Sequence, residues 1–113
     1  LKPNMILSGY QCSYQASIEE VAERTINCLS ANVPTEVPGI AFLSGGQPDE
    51  HATLHLNEMN KYDNDWNITF SYGRALQQPA LKAWSGRSEN IKIAQDVFME
   101  RVKSNSLASI AGL

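Results

Sequence analysis

Ile18, Val21, Ala22, Thr25, Ile26 and Leu29 recur at spacings of three and four, which lays them along one face of a helix. Ser17-Ile18-Glu19-Glu20 just before them has the Ser-x-x-Glu form of a capping box, and Pro34 and Pro38 close the segment. Ile40-Ala41-Phe42-Leu43 is an apolar run of strand length between Pro38-Gly39 and Ser44-Gly45-Gly46. A second helix follows from about Pro48 to Lys61, with Ala52, Leu56 and Met59 on its inner face, and Asp63-Asn64-Asp65 breaks it. Trp66 to Ser71 alternates apolar and polar side chains with period two, which predicts another strand, ended by Tyr72-Gly73. Pro79 to Trp84 fits a short helix stopped by Ser85-Gly86, and Ser88 is placed to cap a longer one with Ile91, Ala94, Phe98 and Val102 on one side. At the start of the chain, Leu1 to Leu7 reads as extended and apolar, with Pro3 limiting its continuation as a strand.

The order is strand, helix, strand, helix, strand, helix, and the connections are long enough to make the strands parallel. An α/β fold of three consecutive β/α units is the expectation. Such folds gather the C-terminal ends of their strands on one rim, where ligands bind. Lys2, the Ser44-Gly45-Gly46 corner and Arg74 would meet there. Paired glycines let backbone approach a ligand, and a helix start offers unpaired N–H groups and a positive dipole end, a combination that favours phosphate. Asp49 and Glu50 suit the same dipole but would oppose a bound anion. Taken singly, Lys2 and Arg74 read as solvated surface charges, and the corner as a plain turn. Their convergence on one rim is what points to a phosphorylated substrate.

Composition narrows the classes. The 113 residues are 42% hydrophobic and 19% charged, as in one globular domain or a piece of one. A net charge of −3 and a pI near 5.3 give no electrostatic reason to expect nucleic acid or an anionic membrane. No apolar run approaches the roughly 20 residues of a membrane span. Leu1 follows no methionine or leader, so the start reads as a cut, and Cys12 and Cys28 have neither metal nor redox spacing, which suits a reducing cytoplasmic setting. His51 and His55 stand four apart on a predicted helix, but without a third ligand no metal site is expected. Trp66, Trp84, Phe70 and Phe98 read as core or packing residues.

Leu1-Lys2-Pro3-Asn4-Met5, Phe42-Leu43-Ser44-Gly45-Gly46-Gln47, Thr69 to Leu76, Leu81-Lys82-Ala83-Trp84-Ser85-Gly86 and Glu89-Asn90, then Ala94-Gln95 and Asn105-Ser106, stand in an order and spacing that resemble the C-terminal part of class I fructose-bisphosphate aldolase. The resemblance covers nearly the whole chain. It implies a partial (β/α)8 TIM barrel, with residues 1–113 as the C-terminal part of a single barrel domain. Under it Lys2 is the Schiff-base lysine, and Ser44, Gly45, Gly46, Ser71, Gly73 and Arg74 bind substrate, chiefly a phosphate. It implies no cofactor and no metal, a phosphorylated sugar as partner, a homotetramer for the intact enzyme and a cytoplasmic location.

The family's acid/base glutamate, its other active-site lysines and its aspartate belong to earlier strands, so the 113 residues alone are expected not to cleave sugar. Gly9 to Ala16 carries no motif with an assigned role. Leu43 to Gln47 also spells the signature of ATP-binding-cassette proteins, yet it follows a strand and no Gly-x-x-x-x-Gly-Lys-Ser/Thr loop accompanies it. The alternative to an enzyme is a non-catalytic phosphosugar-binding or interaction remnant of an aldolase barrel.

Overall fold

The computed structural model describes residues 1–113 as α1 (Ile18–Asn32), β1 (Gly39–Phe42), α2 (Asp49–Met59), β2 (Asn67–Phe70), α3 (Arg74–Trp84), a 3-10 turn (Ser88–Asn90) and α4 (Ile91–Ala108). β1 and β2 form a two-stranded parallel sheet in which Ile40 stands beside Ile68, Ala41 beside Thr69 and Phe42 beside Phe70. Helices cover one face of that sheet. Ile40 and Phe42 point into it with no exposure, joined by Val21, Leu56 and Met59. Burying side chains of this size stabilises the fold by about 2 kcal/mol each. The stripe expected on α1 is buried from Val21 to Leu29, and Ala52, Leu56 and Met59 are the inner face of α2.

Three strands are expected from the sequence and two form. Leu1 to Pro3 run parallel to the free side of β1: the Leu1 nitrogen donates to the Gly39 carbonyl, and the amides of Ala41 and Leu43 donate to the carbonyls of Leu1 and Pro3 at 2.8 and 3.0 Å. The next rung of a parallel ladder would need an N–H at residue 3. Proline has none, so the segment lies against the sheet without becoming a strand.

α3 also departs from expectation. It starts at Arg74, and Pro79 sits inside it instead of opening it. Ser88 begins the 3-10 turn and does not cap α4, whose start at Asn90 has no side-chain cap. Of the four aromatic residues expected to be core or packing residues, Trp66 is buried and donates its indole N–H to the Pro34 carbonyl, and Phe70 is half-buried. Trp84 and Phe98 are 42% and 37% exposed, along a groove left open between α3 and α4. The capping box on α1 is half made: Ser17 Oγ accepts the Glu20 amide, while the Glu20 carboxylate turns to Tyr14 Oη and Arg24.

Candidate functional site

Strand alternation decides which side chains share the uncovered face of the sheet. Ile40 and Phe42 point to the helices, so Ala41 between them points away. The hydrogen bonds of Leu1 and Pro3 put Lys2 level with Ala41, and Ala41 is level with Thr69. Level residues of parallel strands face the same way, so Lys2, Ala41 and Thr69 form one row on the open face. Lys2 and Thr69 are exposed there, and the Lys2 ammonium has no ion-pair partner.

Both strands run from that row towards one rim. Beyond β1 comes Ser44, which is buried, then Gly45 with φ +53°, a left-handed conformation that suits glycine. The Gln47 amide closes the turn on the Ser44 carbonyl at 3.2 Å, and α2 begins two residues later with Pro48 as a cap that accepts no hydrogen bond through its side chain. Beyond β2, the exposed Ser71 donates its amide to the Phe42 carbonyl at 2.8 Å, and α3 begins directly after Gly73, again without a side-chain cap. A β-carbon at Gly73 would meet nothing within 4 Å. Two neighbouring corners therefore each present a helix start with first-turn N–H groups unanswered by a side-chain cap, the arrangement that receives an anion.

Arg74 lies between these corners and is fully engaged. Its Nη1 donates to Asp49 Oδ1 at 2.6 Å and Gln78 Oε1 at 3.3 Å; its Nε and Nη2 donate to the Gly45 carbonyl at 3.2 and 3.1 Å, and Nη2 also to the Gln47 carbonyl. All five donors of the guanidinium have acceptors. The pairing also answers the objection to Asp49, since a carboxylate tied to Arg74 no longer opposes an anion at full charge. Side-chain direction of this kind is not legible in sequence.

Sequence reasoning also missed Tyr10, from the loop without an assigned role. Its hydroxyl accepts the Gly46 amide at 3.1 Å, and a β-carbon at Gly46 would stand 2.5 Å from that oxygen. Behind the corner, His55 Nδ1 meets Gln47 Oε1 at 2.7 Å while Gln47 Nε2 donates to Met5 Sδ at 3.5 Å, so the corner is tied to the segment that carries Lys2. Burial, and next the neighbouring His51, push the His55 pKa down to about 4, so its ring is neutral at pH 7. The two imidazoles lie edge to face beside a cavity of about 500 Å³ walled by the Gly46 corner and the Tyr10 loop. No group of three His, Cys, Asp or Glu side chains gathers there or elsewhere to hold a metal.

Residues 1–112 match the model of the class-I fructose-bisphosphate aldolase family. The cytoplasmic isozyme 1 of fructose-bisphosphate aldolase from Pisum sativum is 54% identical over 112 residues, covering 97% of this chain and 31% of its own. The chloroplastic fructose-bisphosphate aldolase 1 of Arabidopsis thaliana is 49% identical over 110 residues, with 97% and 28% coverage. Among solved structures, fructose-bisphosphate aldolase from Plasmodium falciparum, in complex with TRAP and a small-molecule inhibitor, superposes with a TM-score of 0.94 at 42% identity, over 98% of this chain and 32% of that one. The chain thus spans about a third of the length of the relatives it matches. On the family model, the identities and the shared fold, the chain belongs to the class I fructose-bisphosphate aldolase family.

Proposed function

We propose that these residues supply the Schiff-base lysine and a phosphate site of a class I fructose-bisphosphate aldolase, as three consecutive units of a (β/α)8 barrel. The observation that carries the reading is that the Lys2 row and both uncapped helix starts belong to one sheet and one rim. Lys2 Nζ, unprotonated, adds to the C2 ketone of fructose 1,6-bisphosphate, and loss of water leaves an iminium. The C3–C4 bond then breaks, its electron pair moves into the iminium to give an enamine, and the C4 hydroxyl loses its proton to become the aldehyde of glyceraldehyde 3-phosphate. Protonation of the enamine at C3 and hydrolysis release dihydroxyacetone phosphate and return Lys2. The iminium is the electron sink, so the reading asks for no metal and no cofactor.

Ser44, Gly45, Gly46, Ser71 and Gly73 receive a phosphate in this reading, the serines through their hydroxyls and the glycines through backbone N–H groups, with the Gly46 amide exchanging the Tyr10 hydroxyl for a phosphate oxygen. Arg74 joins them by exchanging the Gly45 and Gln47 carbonyls for phosphate oxygens, which its planar fork matches in pairs. The group that accepts the C4 proton lies outside the 113 residues, so they do not turn sugar over alone. The intact enzyme is proposed to be a cytoplasmic homotetramer acting on phosphorylated sugar, with no nucleic acid or membrane as partner.

Supplying the remaining part of an aldolase barrel in trans tests this. Cleavage of fructose 1,6-bisphosphate should appear with the wild-type chain and vanish with Lys2→Arg. Phosphosugar binding without cleavage in a folded assembly would favour the non-catalytic alternative.

A further inference from the structure

Pro79 leaves the Ala75 carbonyl of α3 without the helical donor that an N–H at residue 79 would otherwise supply. The replacement comes from α4. Arg101 Nε reaches the Ala75 carbonyl at 3.2 Å. The same guanidinium donates through Nη2 to the Asp49 carbonyl at 2.8 Å and to Thr53 Oγ1 at 2.6 Å, both in the first turns of α2. Asn105, wholly buried one turn further along α4, holds the arrangement by donating to the Arg101 carbonyl and accepting from Thr53 Oγ1.

One side chain therefore bridges the starts of the two helices that leave the phosphate corners. Arg74 joins the same two starts from the rim, and Asp49 is held by both, its carboxylate by Arg74 and its carbonyl by Arg101. We propose that Arg101 is a positioning residue for the anion site: it sets how far the Gly45-Gly46 corner stands from Gly73, using the acceptor that Pro79 leaves free in α3. This rests on the phosphate reading above, although the geometric part can be tested without it. An ammonium lacks the separate, rigidly held Nε and Nη2 donors with which the fork meets the Ala75 and Asp49 carbonyls.

The test is to follow the backbone amide resonances of Gly45, Gly46 and Gly73 in the full chain by NMR, with Gly39 and Gly86 as controls, and to titrate inorganic phosphate. Arg101→Lys should shift the three corner glycines, leave the controls in place and weaken phosphate about tenfold. Pro79→Ala gives Ala75 its own helical donor, so combined with Arg101→Lys it should recover thermal stability while leaving the corner shifts and the weak phosphate binding unchanged. Corner resonances that stay at their wild-type positions in a folded Arg101→Lys chain would overturn the proposal. So would recovery of those positions by Pro79→Ala, since the α2 contact would then be idle. A wild-type chain that shows no phosphate-induced shifts would defeat the phosphate reading, while the variant spectra would still decide the role of Arg101.

Discussion

α1 and the pair α2 and α3 begin in different ways. α1 starts under Ser17, whose hydroxyl takes the Glu20 amide, and its first turn carries Glu19 and Glu20. α2 and α3 start under Pro48 and Gly73, neither of which supplies a side-chain cap; the first turn of α2 carries Asp49, tied to Arg74, and Glu50, and that of α3 carries no acid. The first helix closes its own end with a side-chain hydroxyl. The other two start without one, at the rim beyond the row that carries Lys2. A capping side chain stands on α1 and is absent at the two starts where an anion would sit, and α4 also begins without one.

Closing one of the open ends is the strongest way to break this contrast. Gly73→Asp meets no steric obstacle and puts a carboxylate at the start of α3. It should weaken phosphate binding by about 3 kcal/mol, roughly a hundredfold, read by calorimetric titration of inorganic phosphate. Retained affinity would mean that the helix start is not the receptor.

The anchor behind the α2 corner should respond to pH on a similar scale. His55 has a folded pKa near 4 against an ordinary 6.5, so between these values the unfolded chain binds more protons than the folded one. Stability contributed by the neutral ring is complete above about pH 6.5 and falls by about 3 kcal/mol as pH drops to 4. Urea unfolding across that window should show the slope, and His55→Asn should remove it. An unchanged slope in the variant would place the titration elsewhere.

Ser17→Ala sharpens the comparison from the closed side. It should cost about 1 kcal/mol of stability, measured by thermal or urea unfolding, and leave phosphate affinity as it was.

Much of this contrast is legible in the amino-acid sequence. Ser17 and the stripe from Val21 to Leu29 mark α1, Ala52, Leu56 and Met59 mark the buried side of α2, and the glycine corners stand at the strand ends where their turn chemistry puts them. What escapes depends on residues remote in sequence. Pro79 reads as a helix opener because its own neighbours cannot reveal that Arg101 answers the carbonyl it leaves bare. Trp84 and Phe98 read as core or packing residues, and their exposure rules out only the first, because an apolar stripe specifies a face to be covered and says nothing of how much covers it. Arg74 reads as free because composition gives no hint that the Gly45 and Gln47 carbonyls will take its donors.

Lys2 carries the chemistry in the proposed function. Borohydride reduction in the presence of dihydroxyacetone phosphate, followed by peptide mass mapping, tests it in the chain assembled with the rest of an aldolase barrel. A stable adduct is expected on Lys2 and none on Lys61, Lys82, Lys92 or Lys103. A folded assembly that traps substrate on another lysine of this chain, or leaves Lys2 unmodified, would contradict it.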